Sequence, residues 1–207
     1  MDGQHIFHNI YLAAANTAFS INFLREYQIS GVLSVAAERF IPKEVSSLCK
    51  SYHLRLLDLS SQDIITHQTD ILSFYDSING NIVINCNQGV SRAPSVVLMI
   101  LMLRHNFNLA EAYQLVHSKR PNIRPNLGFM NQLCKLEVAQ FRTSVSSMDM
   151  FNYTFEYVCY LLSAPHVGRP FIRAAVRRHS EILGSDWIAV QDAVLTEFFG
   201  VNWQLLQ

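Results

Sequence analysis

The stretch V-I-N-C-N-Q-G-V-S-R-A-P, residues 83–94, decides the fold of this chain. An apolar run ends at Cys86, a glycine follows at position 89, and an arginine closes the segment at position 92. A strand that ends at a cysteine, a turn around the glycine and the start of a helix together place backbone N–H groups and the positive helix end around the sulfur. The pattern predicts a cradle for a phosphate dianion, built around a cysteine nucleophile.

The residues that follow the cysteine provide the predicted cradle. We expect the phosphate to be bound by Asn87, Gln88, Gly89, Val90, Ser91 and Arg92. The same field stabilises a thiolate at Cys86, and the planar guanidinium of Arg92 can hold two phosphate oxygens. Ser91 either bonds the sulfur or caps the following helix. An ordinary buried cysteine and a surface arginine are the alternative, which the loop between the two residues disfavours.

A phosphate ester also needs an acid, because its leaving oxygen must receive a proton. Asp58 follows a predicted strand and opens the polar turn L-S-S-Q-D, where the carboxyl ends of sheet strands meet. Asp63 is the alternative acid, but its position suits the N-cap of a helix that begins at Ile64. Asp58 could also be a plain turn residue. We therefore predict Cys86, Arg92 and Asp58 as the catalytic residues.

Alternation of apolar segments predicts the fold class. Strands are expected at 6–12, 31–35, 53–57 and 81–85, with helices at 17–27, 42–49, 64–75, from 93 onward, at 109–119 and at 127–142. Strands that alternate with helices favour an α/β fold with a central, mostly parallel sheet flanked by helices.

No candidate catalytic or phosphate-binding residue follows about Thr143. We predict a first domain at 1–143 and a helical C-terminal extension at 144–207, whose last helix has Ser185 or Asp186 as its N-cap and ends at Gly200. Arg169, Arg173 and Arg177 recur every four residues and share one helix face, which is either solvated or docks an acidic partner. The apolar content of the extension suggests dimerisation or capture of a partner.

Composition excludes several classes of protein. Half of the 207 residues are hydrophobic, 15% are charged and the formal net charge is zero, so no strong attraction to nucleic acid or anionic membranes is expected. The run from Val96 to Leu103 is too short to span a membrane. Four scattered cysteines without C-x-x-C spacing predict a reduced protein of the cytoplasm, with the nucleus left open, and no metal site.

The segment C-x5-R, in the form Cys86-Asn-Gln-Gly-Val-Ser-Arg92, resembles the signature of the cysteine-based protein tyrosine phosphatases, and C-x-x-G-x-S-R is similar to their dual-specificity subgroup. The resemblance spans residues 5–140: G-V-L-S-V-A-A-E at 31–38, the Asp58 turn, and R-P-N-I-R-P-N-L-G-F-M-N-Q-L at 120–133. It implies a phosphoprotein phosphatase without metal or cofactor. Cys86 attacks phosphorus, and water then hydrolyses the cysteinyl-phosphate with Asp58 as the base.

Two positions depart from the family pattern. Asn85 stands where the family has a histidine that orients the loop, and Ala93 stands where a serine or threonine eases departure of the sulfur. The resemblance implies that Asn126 braces the loop and that Asn85 supports it. The loss of the hydroxyl predicts slow hydrolysis of the intermediate.

These departures leave alternative functions open. The first is a slow phosphatase that acts on phosphotyrosine, with phosphoserine and phosphothreonine open. The second is a pseudophosphatase that binds or scaffolds phosphoproteins, and the third is an interaction protein that works through its C-terminal extension. Relatives that act on inositol lipids have basic residues inside the cradle, whereas Asn87, Gln88 and Val90 are uncharged, which favours phosphoprotein.

Overall fold

A five-stranded sheet forms the centre of the larger part of the chain. The computed structural model describes residues 3–163 and 168–199. The strands, in the spatial order β1-β2-β5-β3-β4, are β1 (Gly3–Phe7), β2 (Ile10–Ala14), β3 (Ile29–Ser34), β4 (Lys50–His53) and β5 (Asn81–Cys86). Only β1 pairs antiparallel with its neighbour. The α/β class and the mostly parallel central sheet are therefore confirmed.

Seven helices accompany this sheet within the described part of the chain up to residue 147. They are α1 (Ala15–Ala18), α2 (Ile21–Glu26), α3 (Lys43–Leu48), α4 (Gln68–Asp76), α5 (Arg92–His105), α6 (Leu109–Lys119) and α7 (Leu127–Phe141). Helix α5 packs against β2, β5, α6 and α7, and its residues from Arg92 to Met102 are all buried. A helix that is apolar all round belongs in the middle of a domain, and here it fixes the start of α5 at the carboxyl end of β5.

The N-terminal segment folds differently from the prediction. Instead of one strand at 6–12, β1 and β2 form a hairpin whose turn contains His8, with a φ of 47°. The predicted helix at 17–27 is likewise divided into α1 and α2, because the Ser20 side chain accepts a hydrogen bond from the N–H of Phe23 and starts a new helix.

The segment that carries the predicted acid also differs. Strand β4 ends at His53 rather than running through 53–57, because the N–H of Leu56 turns back to the carbonyl of Leu54, at 3.1 Å. Helix α4 begins at Gln68 and not at Ile64, since Asp63 Oδ1 accepts the N–H groups of Ile65 and Thr66 in a local turn. The chain from 54 to 67 is therefore a long loop beside the sheet edge.

The chain divides into two compact units, the first ending at Ser147 and the second beginning at Met148. The predicted boundary after residue 143 lies earlier, because a buried carboxylate holds the intervening segment. Glu137 accepts hydrogen bonds from the side chains of Ser146 and Ser147 and from the N–H groups of Ser147 and Leu109. Residues 144–147 thus pack with the first unit.

The second unit contains the three helices α8 (Met150–Leu162), α9 (Arg169–Leu183) and α10 (Trp187–Phe199). They share a core that includes Val158, Val176 and Val194, and the predicted helical extension is confirmed. The side chain of Asp186 accepts the N–H of Ala189, as an N-cap does. The predicted helix end at Gly200 lies outside the described residues.

The arginines of the α9 stripe are exposed, and they also pack on aromatic rings of the same unit. Arg169 and Arg173 lie 4.9 and 4.5 Å from the ring centroid of Phe155, and Arg173 and Arg177 lie 5.7 and 6.0 Å from that of Phe151. The guanidinium groups therefore cover aromatic rings of α8 through cation–π contacts, each of which contributes roughly 0.5–1 kcal/mol at exposed sites. Among residues 3–163 and 168–199, no helix is both long and apolar enough to cross a bilayer.

Candidate active site

Cys86 lies at the carboxyl end of β5, between β2 and β3. Its Cα pairs with that of Ala14 in β2, and the preceding Asn85 pairs with Ser34 in β3. The Cys86 side chain is almost fully buried, and the N–H of Gly89 donates to its Sγ at 3.3 Å. The sulfur therefore sits at the sheet edge where the loop to α5 begins.

The loop between Cys86 and Arg92, called the phosphate loop below, is anchored through its carbonyl groups. The carbonyl of Asn87 accepts the N–H of Ala15 at 3.2 Å, and that of Val90 accepts the N–H of Arg124 at 2.6 Å. The two carbonyls between them, those of Gln88 and Gly89, accept hydrogen bonds from the Arg120 guanidinium at 2.8 and 2.9 Å. Every carbonyl from residue 87 to residue 90 is thus bonded from outside the loop.

This anchoring determines where the N–H groups point. In a trans peptide, the C=O of one residue and the N–H of the next point in opposite directions. The N–H groups of residues 88–91 therefore face the inside of the loop, as the bond from Gly89 to the sulfur shows. Within the part of the chain that the structure describes, the N–H groups of Gln88, Val90, Ser91 and Arg92 meet no protein acceptor. The loop thus presents converging donors beside the sulfur.

Gly89 allows the loop to close. Its φ is +68°, and a Cβ at this position would lie 2.8 Å from the carbonyl oxygen of Ala13 and 3.0 Å from Nη2 of Arg120. Both the backbone angle and the lack of space exclude other residues without rearrangement. Glycine is therefore required where the loop passes β2 and Arg120.

Arg92 donates part of its N–H groups to neighbouring protein acceptors and keeps the rest for the loop interior. Nη1 and Nη2 donate to Glu38 at 2.6 and 2.5 Å, and Nη1 also donates to the carbonyl of Leu56. Because a guanidinium has five N–H donors, the Nε–Nη2 edge keeps two. Nε is buried and donates to no acceptor within the described residues. Two phosphate oxygens could bind this edge, rather than the Nη1–Nη2 fork that Glu38 already occupies.

The charges of this pair stabilise each other. Burial opposes the positive charge of Arg92, but the hydrogen bond with Glu38 and the charges of Cys86, Glu38 and Asp58 raise the guanidinium pKa above its ordinary value. The hydrogen bond from Arg92 in turn lowers the pKa of Glu38, against a smaller effect of burial. Both groups are therefore ionised near neutral pH, and Glu38 holds the guanidinium of Arg92 in place.

Asp58 lies next to the phosphate loop, as expected for the acid. Its Oδ1 accepts hydrogen bonds from Ser91 Oγ at 2.7 Å and Asn126 Nδ2 at 2.9 Å, and its Oδ2 is 3.7 Å from Nε of Arg92. The side chain is 39% exposed. Asp63, the alternative acid, caps the turn before α4 instead. The geometry thus favours Asp58.

Ser91 and Asn126 hold this carboxylate together. Ser91 neither caps α5 nor bonds the sulfur: its hydroxyl donates to Asp58 and accepts the N–H of Asn126 at 3.1 Å. Asn126 is the N-cap of α7, where its Oδ1 accepts the N–H of Phe129. One side chain therefore connects the start of α7, the phosphate loop and the loop that carries Asp58.

The two residues that depart from the family pattern are both fully buried. Asn85 donates from Nδ2 to Ser34 Oγ at 3.3 Å, while its Oδ1 has no hydrogen-bond partner among the described residues. Ala93 lies in the first turn of α5 and brings no hydroxyl to the site. The hydrogen bonds of the described chain give Cys86 Sγ a single donor, the N–H of Gly89.

Sequence reasoning missed two residues of the site, Glu38 and Arg120. Arg120 is buried and, besides the two loop carbonyls, donates to Gln4 of β1. Both residues stand in segments that carry the family resemblance, A-A-E and R-P-N-I-R-P-N. A charged residue at the end of a buried strand, and an arginine directly before a proline turn, were the available signals.

Comparison with known proteins agrees with this geometry. The model of the dual specificity phosphatase catalytic domain matches residues 10–139. The chain belongs to the dual specificity phosphatase family. The dual specificity protein phosphatase MPK-4 of Drosophila melanogaster is 30% identical over 129 residues, which cover 60% of this chain and 33% of that protein. Dual specificity protein phosphatase 5 of Rattus norvegicus is 30% identical over 135 residues, 62% of this chain and 34% of that protein.

The chain spans about a third of the length of these curated relatives. Among solved structures, human DUSP28 is similar with a TM-score of 0.61 and 22% identity, over 69% of this chain and 97% of that one. The human tyrosine phosphatase-like serine/threonine/tyrosine-interacting protein has a TM-score of 0.61 and 23% identity, over 68% of this chain and 98% of that one. At these identities, the structures show that the dual specificity phosphatase fold is shared.

Proposed function

We propose that this dual specificity phosphatase domain hydrolyses phosphoproteins at phosphotyrosine, with phosphoserine and phosphothreonine open, through a cysteinyl-phosphate intermediate. The observation that carries the proposal is the set of donors that converge beside Cys86 Sγ. They are the inward N–H groups of residues 88–91 and the unpaired Nε of Arg92. Donors fixed in this way stabilise a transferring phosphoryl group.

In the first step, Cys86 Sγ attacks phosphorus and the bond from phosphorus to the ester oxygen breaks. The proton for the leaving oxygen comes from Asp58. Because Oδ1 accepts two hydrogen bonds from neutral donors, Oδ2 is the oxygen that carries this proton. Help from a general acid contributes about 10²–10⁴-fold.

In the second step, water attacks phosphorus and Asp58 takes its proton, while the bond from sulfur to phosphorus breaks and the thiolate of Cys86 departs. A hydroxyl donating to the sulfur would ease this departure. Ala93 has none, and the hydroxyl of Ser91 is engaged by Asp58 and Asn126. We therefore propose slow breakdown of the intermediate.

Turnover of p-nitrophenyl phosphate tests the enzyme. We expect wild type to be active, Cys86→Ser to abolish turnover, and Asp58→Ala to lower kcat about 10²–10⁴-fold. Asp63→Ala is the matched control, since Asp63 caps a turn, and it should keep most activity. Equal losses for the two aspartate variants would contradict the assignment of Asp58.

A phosphoprotein-binding module with little or no turnover is the second candidate. The buried Asn85 and Ala93 favour it, because they replace two groups that assist the family reaction while the converging donors remain. Wild-type protein that binds a phosphotyrosine peptide but releases no phosphate between pH 5 and 8 would support this candidate against the enzyme.

We also propose that the C-terminal extension forms a homodimer or binds a partner, and that the protein is located in the cytoplasm, with the nucleus left open. Packing of the arginine stripe on α8 supplies an internal role for Arg169, Arg173 and Arg177. An acidic partner is therefore not needed to explain these arginines.

A further inference from the structure

A second amide side chain of α7 binds the loop that carries Asp58. Gln132 follows Asn126, the N-cap that donates to the Asp58 carboxylate, further along the same helix. Its Oε1 accepts the N–H of Ile64 at 2.8 Å, and its Nε2 donates to the carbonyl of Gln62, also at 2.8 Å. A flipped amide would place oxygen against oxygen, so these two partners fix its orientation. One side chain of α7 therefore bonds the backbone of this loop at two points.

The side chain of Gln62 connects this attachment to the residue before the acid. Its Oε1 accepts the N–H of Leu57 at 3.2 Å, and Asp58 follows Leu57 directly in the chain. The backbone of Gln62 also turns back, since its N–H donates to the carbonyl of Leu59 at 3.0 Å. This short segment is therefore closed by its own hydrogen bonds, and its end is bonded to α7.

The loop also touches α7 at a position where the helix has no side chain. Gly128 is buried in the first turn of α7, and a Cβ there would lie 2.0 Å from the carbonyl oxygen of Ser60 and 2.6 Å from its carbonyl carbon. No side chain fits in this space unless the backbone of Ser60 moves. Gly128 therefore lets the loop pack directly on the helix, between the contacts made by Asn126 and Gln132.

These contacts matter because the proposed acid lies on an exposed loop. Residues 54–67 form neither strand nor helix, and the Asp58 side chain is 39% exposed. A general acid must stay within hydrogen-bond reach of the leaving oxygen, about 2.6–3.2 Å, whereas loops are more mobile than the elements that they connect. The carboxyl group therefore needs a rigid support, and the loop packs on α7.

We propose that Gln132 and Gly128 are positioning residues, which dock the loop on α7 and thereby hold Asp58 at the leaving oxygen of the substrate. The inference rests on the proposed function, in which Asp58 protonates that oxygen. Gln132 acts through the loop backbone, whereas Asn126 binds the carboxylate itself. Loss of the Gln132 amide should therefore weaken proton donation and leave the phosphate loop unchanged.

The leaving group of the substrate distinguishes this role from a purely structural one. Phenolate is a stronger base than p-nitrophenolate and depends more on the proton of Asp58, so a displaced acid slows hydrolysis of phenyl phosphate more than that of p-nitrophenyl phosphate. The measured quantity is kcat/KM, which excludes the slow hydrolysis of the cysteinyl-phosphate. Gln132→Met keeps the length of the side chain but removes its amide. It should lower kcat/KM about tenfold more for phenyl phosphate than for p-nitrophenyl phosphate, as expected when a catalytic group is misplaced.

Matched variants separate the acid loop from the rest of the helix. Gln140→Met is the control, because Gln140 is an exposed glutamine of the same helix, and it should leave the ratio of the two kcat/KM values unchanged. Gln62→Met, a change confined to the loop, should shift the ratio in the same direction as Gln132→Met, and so should Gly128→Ala. In the Asp58→Ala background, Gln132→Met should not shift the ratio further, because a positioning residue acts only through the group that it positions.

The inference and the proposed function can fail separately. Equal losses on both substrates in Gln132→Met and Gln62→Met, with Asp58→Ala still slowing phenyl phosphate more, would overturn the inference and leave the proposed function intact. A further shift of the ratio by Gln132→Met in the Asp58→Ala background would also overturn it, since the amide would then act on something other than the acid. Wild type that hydrolysed neither substrate would remove the proposed function, and the inference with it.

Discussion

At the scale of single residues, Cys86 Sγ has few hydrogen-bond donors that could stabilise it as a leaving group in the proposed second step. Among the described residues its sulfur accepts one hydrogen bond, from the N–H of Gly89. The hydroxyl of Ser91 points instead to Asp58. Under the proposed mechanism, the loop offers several donors to a phosphoryl group but only one to the sulfur, so the two half-reactions should respond differently to substitution.

Ala93→Ser should raise steady-state kcat for p-nitrophenyl phosphate about tenfold, because a hydrogen bond to a charged group contributes roughly 1.5–3 kcal/mol. Rapid-mixing kinetics should show a burst in wild type that shrinks in the variant. Since Ala93 is fully buried, Ala93→Thr and Ala93→Val form a control pair of equal size. Equal rates for Ala93→Thr and Ala93→Val would show that a hydroxyl at this position does not speed the breakdown of the intermediate.

At the scale of elements, the phosphate loop depends on one glycine. Gly89→Ala should lower kcat/KM about 10²–10³-fold, as expected when fixed donors of a transition state are misplaced. The cause is a φ of +68° and the contact with the Ala13 carbonyl. Gly80→Ala is the control, because its φ of +130° is also strained but its new contact is the side chain of Ser30 rather than a backbone carbonyl. We expect the two variants to have similar unfolding free energies and only Gly89→Ala to lose activity. Similar activities of the two variants would contradict this role of Gly89.

Glu137 joins α6, α7 and the segment 146–147, and its effect should depend on pH. Burial alone would raise the pKa of this carboxyl, but hydrogen bonds from Ser146, Ser147 and the backbone lower it. Because the folded pKa is depressed, the carboxylate stabilises the fold above the unfolded pKa of about 4.3. This contribution is lost as pH falls through the folded pKa.

Glu137→Gln should therefore lower the free energy of unfolding at pH 7 by about 1–3 kcal/mol, with a difference from wild type that shrinks toward pH 3. Denaturant titrations at several pH values measure this difference. Glu111→Gln is the control, because glutamine also completes the capping box of α6. A difference that stayed constant with pH would show that the charge of Glu137 is not involved.

The sequence predicted the elements that depend on local pattern and missed those set by distant partners. The strand before Cys86 and helix α6 were predictable because their apolar periodicity is strong. The hairpin of β1 and β2 was not, since its turn contains His8 at positive φ rather than a glycine. The prediction for β4 was displaced because Leu54 and Leu56 alternate as in a strand, although a tight turn between them, from the N–H of Leu56 to the carbonyl of Leu54, ends the regular strand.

The same division applies to the candidate site. Cys86, Gly89 and Arg92 stand within one short segment, so their spacing alone suggested a cradle. Glu38 and Arg120 are separated from it by 54 and by 31 residues in the chain. No pattern of residues along the sequence indicates such a pairing, and only the fold brings these two charged side chains to the loop.

At the scale of the whole molecule, all site residues lie in the first unit, which ends at Ser147. A chain of residues 1–147 should therefore keep the kcat of the full chain within about twofold. The site residues and the hydrogen-bond partners described for them all precede residue 148, and changes at distant residues usually have independent effects. A chain of residues 1–143 should unfold more readily, because it lacks Ser146 and Ser147 and leaves Oε2 of the buried Glu137 without its two hydrogen bonds. Thermal unfolding and turnover of both chains check this. Loss of activity in 1–147 would mean that the second unit completes the site.

The phosphate loop is closed by bonds made from outside it, and none of them requires an anion. Its carbonyls are held by Ala15, Arg120 and Arg124, so the protein itself determines the shape of the loop. Vanadate or tungstate should then associate in a single kinetic phase whose observed rate rises linearly with concentration, without the plateau that a preceding isomerisation would impose.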